Sequence, residues 1–442
     1  MSVAPAPGLA PRAAAWRVLH DLRRGIPMDR ALSRALAAVP EADRGLAHEL
    51  AAGVLRHREA VDAAIAPHLD RGLERIREDL LDILRLGAYQ LLFLDRIPGH
   101  AAVDTAVTLG RRIAGARVGG FINAVLRKVA ETGRGGPGPG DAALPSPSTS
   151  PSSLASAYSH PEWLVSRWID RFGAEDTERL LEANNCRPPL VVQPARWDAG
   201  ALIASFEQQA IVWRKAPHEA GLIVEGRRPQ ELPGFSSGSC FVQDPAQALV
   251  VRYFDLPGGS ALFDACAAPG GKAIAFSRRA SVVAADLRVA RARRLRENLA
   301  RAGGEAATVL AADAMCPPVR PMPAVLLDVP CLGTGTFSRH PDARFRVTPE
   351  ALAFLAGQAA RMLRAQADVV KPGGLLFFAT CSLEPEENEL QIEAFLAADS
   401  RFRREPSAAV PGELLTPSGD LVLLPHHHGT DGAYAARLRR AA

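Results

Sequence analysis

No apolar run in this chain of 442 residues approaches the ~20 that a bilayer-spanning helix needs. Residues 1–12 are rich in alanine and proline and lack the basic-then-apolar order of a secretory signal. Cysteine is scarce: there are six, scattered without the spacing of a zinc site or a disulfide framework. These absences set aside a membrane protein, a secreted disulfide scaffold and a zinc module, and they predict a reducing, cytoplasmic setting. Charge is nearly balanced as well. A net charge of +4 is too weak to identify a nucleic-acid partner by itself. Arginine outnumbers lysine, but in a chain so rich in alanine and glycine this reads as coding bias. What is present is 48% apolar residues in a length that predicts two or three soluble globular domains.

Phosphate-binding patterns are missing where they would matter most. The stretch 262–273 is a short apolar run ending in Asp264, followed by small residues and then Pro269-Gly-Gly-Lys272. It has the form of a buried strand turning tightly into a helix, where small residues let bare backbone approach a ligand. A phosphate loop needs G-x-x-x-x-G-K-[ST]. Here Cys266 stands at the first glycine position and Ala273 replaces the magnesium-binding hydroxyl. The fingerprint G-x-G-x-x-G is absent from this turn too. The next two apolar runs end in acids, 281–286 in Asp286 and 308–313 in Asp313, suited to ribose hydroxyls and an adenine edge. A glycine turn with these acids, and without a magnesium hydroxyl, favours S-adenosylmethionine (SAM) and no metal.

Two thiols follow at the ends of two more apolar runs. Residues 324–331 end in Asp328-Val-Pro-Cys331, and residues 371–382 end in Thr380-Cys381-Ser382. In a parallel sheet both cysteines would lie at the carboxyl edge, where such sheets place their sites. The words Asp264–Lys272, Asp328-Val-Pro-Cys331 and Thr380-Cys381-Ser382, with Pro385-Glu-Glu-Asn388, resemble the RNA 5-methylcytosine methyltransferases of the Nol1/Nop2/Sun family. The likeness runs through the C-terminal half.

Ahead of it, residues 10–131 carry helical periodicity throughout. Stretches beginning at Arg44, Arg85 and Gly119 resemble the NusB-type RNA-binding domain found in a bacterial branch of that family. Basic residues recur at Arg111, Arg112, Arg117, Arg127 and Lys128; alone they would be a solvated face, and the resemblance turns them toward RNA. The expected organisation is an all-α NusB-like domain over 9–131, then a flexible Gly/Pro/Ser linker over 132–157. A small α/β segment over 158–237 and an α/β Rossmann-like SAM-dependent methyltransferase domain over 238–442 complete it. Residues 429–438 read as a closing hairpin whose end faces the site. His426, His427 and His428 read as strand residues that point apart and hold no metal. The thiols of Cys186, Cys240, Cys266 and Cys316 read as small hydrophobes.

The resemblance implies a ribosomal RNA substrate from the small subunit, cytosine C5 as the methylated atom, and a monomer with no membrane partner. It implies Cys381 as nucleophile at C6, Cys331 as the residue serving release, and Asp328 at the ring edge. It also implies the turn Cys266, Ala267, Ala268, Pro269, Gly270, Gly271 and Lys272, with Asp286, Asp313 and Asp328, as the SAM site. The chemistry explains the thiol pair. C5 is a poor nucleophile until a thiolate adds to C6 and makes it an enamine carbon. A proton must then leave C5 so that the thiol can depart. The target base must also leave its stack to be reached. Two alternatives stand beside this reading: the same chemistry on transfer RNA, and an RNA-binding assembly factor with a decayed site. Departures from the family pattern at 193–197, Leu332 and Ala433 favour the latter; the intact cysteines and acids oppose it.

Overall fold

The computed structural model describes residues 8–133 and 150–442. Residues 1–7, and the stretch 134–149 that makes up most of the expected linker, lie outside the described residues. The chain forms two compact units. One comprises Met1–Cys186 with Phe337–Arg346, the other Arg187–Thr336 with Val347–Ala442.

The first unit is all helical, as the periodicity predicts. Helices Leu9–Arg23, Met28–Leu36, Glu41–Arg56, Arg58–Ile65, Glu78–Phe93, Gly99–Ala114 and Val118–Gly133 enclose Val18, Leu50, Ile83, Leu84, Ile122 and Leu126. Residues spaced three and four apart supply that core, so each helix buries one stripe. The stretch starting at Arg85 is interior. Arg85 donates to Asp62 through Nε at 2.7 Å and Nη2 at 2.6 Å, and Gln90 accepts from Arg12 Nε at 2.8 Å. Arg111, Arg112, Arg127 and Lys128 are exposed on helices Gly99–Ala114 and Val118–Gly133, and Arg117 is exposed in the turn between them.

The linker expectation is corrected at both ends. Helix Val118–Gly133 runs past 131, and Pro151–Tyr158 is a helix. Ser150 caps the latter by accepting from Ser153 N–H at 3.3 Å, Pro151 supplies a preset first turn, and Leu154 and Ala155 are buried. Helices Glu162–Phe172 and Ala174–Asn185 complete the unit, so the expected 158–237 segment is divided between the two units.

The second unit holds two sheets. A small antiparallel one has the order β2–β3–β1–β4, from β1 (Leu190–Pro194), β2 (Trp213–Lys215), β3 (Leu222–Val224) and β4 (Cys240–Val242). Helix Ala199–Gln208, capped by Asp198, covers it through Leu202 and Phe206. β4 pairs with β1, so residues expected to open the catalytic domain at 238 belong to the small sheet. The departing residue Gln193 is buried there and donates to Ala220 O at 2.8 Å.

The large sheet contains β5 (Ala261–Asp264), β6 (Ser281–Asp286), β7 (Thr308–Ala311), β8 (Met322–Asp328), β9 (Val370–Thr380), β10 (Phe402–Arg404), β11 (Leu421–Leu423) and β12 (Ala433–Arg440). Its order is β10–β12–β9–β8–β5–β6–β7, with β11 on β12. Strands β5 to β9 are mutually parallel, while β12 runs the other way and pairs antiparallel with β9, β10 and β11. Both faces are covered, and alternate residues feed opposite cores: Leu262, Leu326 and Phe377 on one side, Phe263, Val325 and Phe378 on the other. The chain steps from β5 out through β6 to β7, then returns to place β8 on the far side of β5. That reversal opens a crevice at the carboxyl ends of β5 and β8. Between β11 and β12 the histidines form a short helix, Pro425–His428, rather than a strand. Among the described residues, no helix is long and apolar enough to cross a membrane.

The Arg85–Asp62 pair yields a stability prediction. Both side chains are nearly buried, so Arg85→Ala leaves a carboxylate stranded in the helical core. The change should destabilise that unit by ~3–5 kcal/mol in thermal or urea unfolding. Adding Asp62→Leu to Arg85→Met should recover most of the loss; if it does not, the pair is not the cause.

Candidate active site

Four neighbouring strands, β6, β5, β8 and β9, end in polar residues at one edge of the large sheet. β5 ends in Asp264, and the chain turns at once toward the short helix Gly271–Ser277. Ala265 N–H donates to Leu326 O at 3.0 Å and Ala267 N–H to Ala285 O at 2.8 Å, which stitches the turn between β8 and β6. Gly270 has φ +118°, and a Cβ there would lie 2.9 Å from Leu295 Cδ1, so glycine is required.

The acids stand in different settings. Asp264 is 1% exposed, and neither carboxylate oxygen has a hydrogen-bond partner among the described residues. Burial, with the charge of Asp328 beside it, pushes its carboxyl up to about 7. Asp286 accepts from Arg288 N–H at 3.2 Å and pairs with Arg291 Nε at 3.1 Å. Arg291 also donates to Ala268 O at 2.9 Å, tying the glycine turn to the end of β6. Arg291 is an exposed helical residue that nonetheless makes these two contacts. Asp313 is exposed two residues beyond β7 and accepts from Met315 N–H at 2.8 Å. Cys266 is half-buried, and burial with the nearby acids drives its thiol upward. Cys186 and Cys316 are exposed, contrary to their reading as buried hydrophobes, whereas Cys240 is buried.

Lys272 was grouped with the cofactor turn. Its ammonium lies at the β8 end, 2.7 Å from Asp328 Oδ2, and also donates to Gln247. Lys272 is only 8% exposed, and the Asp328 side chain is 33% exposed. Asp328 is thus an ion-paired group beside solvent. Nothing in the sequence spacing of 56 residues announces that pair.

The two cysteine loops meet. Cys331 and Cys381 Sγ lie 3.4 Å apart, both half-buried. Val329 N–H donates to Ala379 O at 3.0 Å, and Gly335 N–H to Cys381 O at 3.0 Å, so the loops after β8 and β9 stay in register. A Cβ at Gly335 would sit 2.6 Å from Gly432 Cα, which shows how closely the 429–432 turn packs there. Tyr434, by contrast, is in the core, its hydroxyl donating to Asp420 at 2.6 Å. Asn388 donates to Ser382 O at 2.9 Å and accepts from the Thr380 hydroxyl. Hydrogen bonding to Cys381, then burial and the charges of Cys381 and Glu387, hold the proton on Cys331 far above the ordinary thiol range.

Asp264 yields a test of sign. Its carboxyl is raised from an ordinary ~3.9 to about 7, so the folded state prefers it neutral and loses stability as pH rises through that window. Asp264→Asn removes the loss. The melting temperature of the variant relative to wild type should therefore rise between pH 5 and pH 8, by the equivalent of ~2–3 kcal/mol. A difference independent of pH would contradict the burial of an unpaired charge.

Comparison with known proteins matches these parts. Residues 253–439 match the model described as 16S rRNA methyltransferase RsmB/F, residues 10–131 the NusB family, and residues 160–230 the ferredoxin-like domain of RsmF/B-like methyltransferases. The chain is 33% identical to a probable ribosomal RNA small subunit methyltransferase B of Synechocystis, over 98% of this chain and 100% of that one. It is 34% identical to the ribosomal RNA small subunit methyltransferase B of Vibrio cholerae over 97% of each. A crystal structure of a methyltransferase homolog from Pyrococcus horikoshii superposes with TM-score 0.57 at 24% identity, covering 66% of this chain and 99% of that one.

Proposed function

The chain belongs to the RsmB/F family of ribosomal RNA small subunit methyltransferases, and from that premise we propose that it methylates C5 of a cytosine in 16S rRNA through a covalent bond between Cys381 and C6. The observation that carries this reading is the 3.4 Å contact between two thiols just beyond the ends of adjacent strands. Cys331 keeps its proton, held by its contact with Cys381 and by burial, and Cys381 is the sulfur that reacts, as the thiolate. That thiolate adds to C6, and C5 becomes the nucleophilic carbon. Asp328 accepts from the ring's amino group, and Lys272, fixed by Asp328 and Gln247, brings a cation to the ring edge where negative charge builds up. Once C5 carries both its proton and a methyl group, Cys331 gives up its own proton to water and removes the C5 proton in its place. The C5–H electrons re-form the C5–C6 double bond, and Cys381 leaves C6 as thiolate.

The methyl donor that fits is SAM. Asp264, Asp286, Asp313 and Asp328 make this edge acidic, which suits a ligand bearing ammonium and sulfonium charges and opposes a polyphosphate. The buried Asp264 oxygens and the glycine turn offer unused acceptors and bare backbone to such a ligand. The turn 266–272 with Asp286 and Asp313 would hold SAM, which when bound supplies an electrophilic methyl group. The helical unit is the proposed holder of RNA. A cleft of about 1040 Å³ along helices Gly99–Ala114 and Val118–Gly133 is lined by His100, Arg111, Asn123 and Arg127 among others.

The two cysteines are separable by experiment. Cys381→Ser should abolish methylation and form no covalent RNA adduct. Cys331→Ala should still add and accept methyl, then accumulate an adduct that survives a denaturing gel. Adduct trapped by the Cys381 variant would reverse the roles, and full methylation by both variants would end the mechanism.

A further inference from the structure

One carboxyl near the thiols has no part in the reaction as described. Glu387 lies in the single turn Pro385–Glu387 and is 1% exposed. Both of its oxygens accept the amide N–H of Leu332, at 3.0 and 3.2 Å, and Leu332 directly follows Cys331. The turn that carries Glu387 is itself fastened to the other thiol loop, because Asn388 bonds Thr380 and the Ser382 carbonyl on either side of Cys381. A single buried carboxyl thus joins the loops of the two cysteines.

We infer that Glu387 is a positioning residue for the release step: through the Leu332 amide it sets the place of Cys331, and through its charge it keeps the Cys331 proton in place until Cys381 has added. The inference rests on the two-thiol reading above. Before addition, three influences hold the proton on Cys331: the hydrogen bond to Cys381, burial, and the charges of Cys381 and Glu387. Addition converts the Cys381 thiolate into a neutral thioether, which removes the strongest of them. Burial and Glu387 then remain. Cys331 loses its proton to water, takes the C5 proton in its place, and the net product is the one proton that methylation of a C–H bond must release. The titratable groups acting on Glu387 are Glu384 and Glu386 from its own stretch, with Cys331 on the facing loop, and burial raises its carboxyl to about 7. Its charge therefore changes near neutral pH, where the release step must run.

The test uses the full chain and unmodified 16S rRNA transcribed in vitro, under single turnover with SAM. Adduct formation and adduct decay are read on denaturing gels from pH 6 to pH 9. Glu387→Gln keeps an acceptor for Leu332 but removes the charge, so the pH midpoint of adduct decay should fall by about one unit while adduct formation continues. Glu387→Ala loses both contributions, and its adduct should decay about tenfold more slowly at every pH. SAM binding checks that each variant is folded; if the alanine variant fails that check, the glutamine profile alone decides. Decay at the wild-type rate and midpoint in the glutamine variant would overturn the role of Glu387. Failure of Cys331→Ala to form any adduct in the same assay would instead overturn the two-thiol reading and the inference with it.

Discussion

A contact between two sulfur atoms, 3.4 Å long, is the constraint on which the rest of this site depends. Two thiols brought so close cannot both ionise, and on Cys331 the contact and burial hold the proton well above the ordinary thiol range. The contact needs loops that do not drift, and the sheet supplies them. β8 and β9 are adjacent and parallel with Asp328 opposite Ala379, so residues a few positions beyond each strand end emerge side by side. Apolar cores on both faces hold that register, since a one-residue slip would turn every buried side chain to the wrong layer.

The same edge concentrates negative charge, and the chain meets that cost locally. Asp286 is paired with Arg291 and Asp328 with Lys272, whereas Asp264 is left buried without a partner. A structural protein would be expected to replace such an acid by an apolar residue. Its retention beside a glycine turn, in a member of a methyltransferase family, fits a site whose ligand carries positive charge.

Much of this was legible in the residues. Buried parallel strands read as apolar runs ending in acids, and the runs at β5, β6 and β8 were found in that way. The helical half was legible from its 3.6-residue period. What escaped has physical reasons. Long-range polar pairs such as Lys272–Asp328 and Glu387–Leu332 have no period and no fixed spacing, because tertiary packing alone brings them together. Arg291 looked like any exposed helical arginine, although it joins Asp286 to the glycine turn. The stretch starting at Arg85 resembled an RNA-binding module, yet its arginine is spent on a buried carboxylate. Helix Pro151–Tyr158 hid inside a serine- and proline-rich composition because its cap and first turn are built from those very residues. The histidine run was misjudged as a strand because four residues starting with proline are too short to show periodicity.

The central claim is that the paired thiols serve methylation of cytosine C5 in small-subunit ribosomal RNA. Bisulfite sequencing of 16S rRNA tests it most directly, because C5-methylated cytosine resists deamination. RNA from a strain lacking this gene should lose protection at one cytosine. Protection should return with the wild-type gene and not with one encoding Cys381→Ser. An unchanged protection pattern in the deletion strain, or its restoration by the Cys381→Ser gene, would contradict the account.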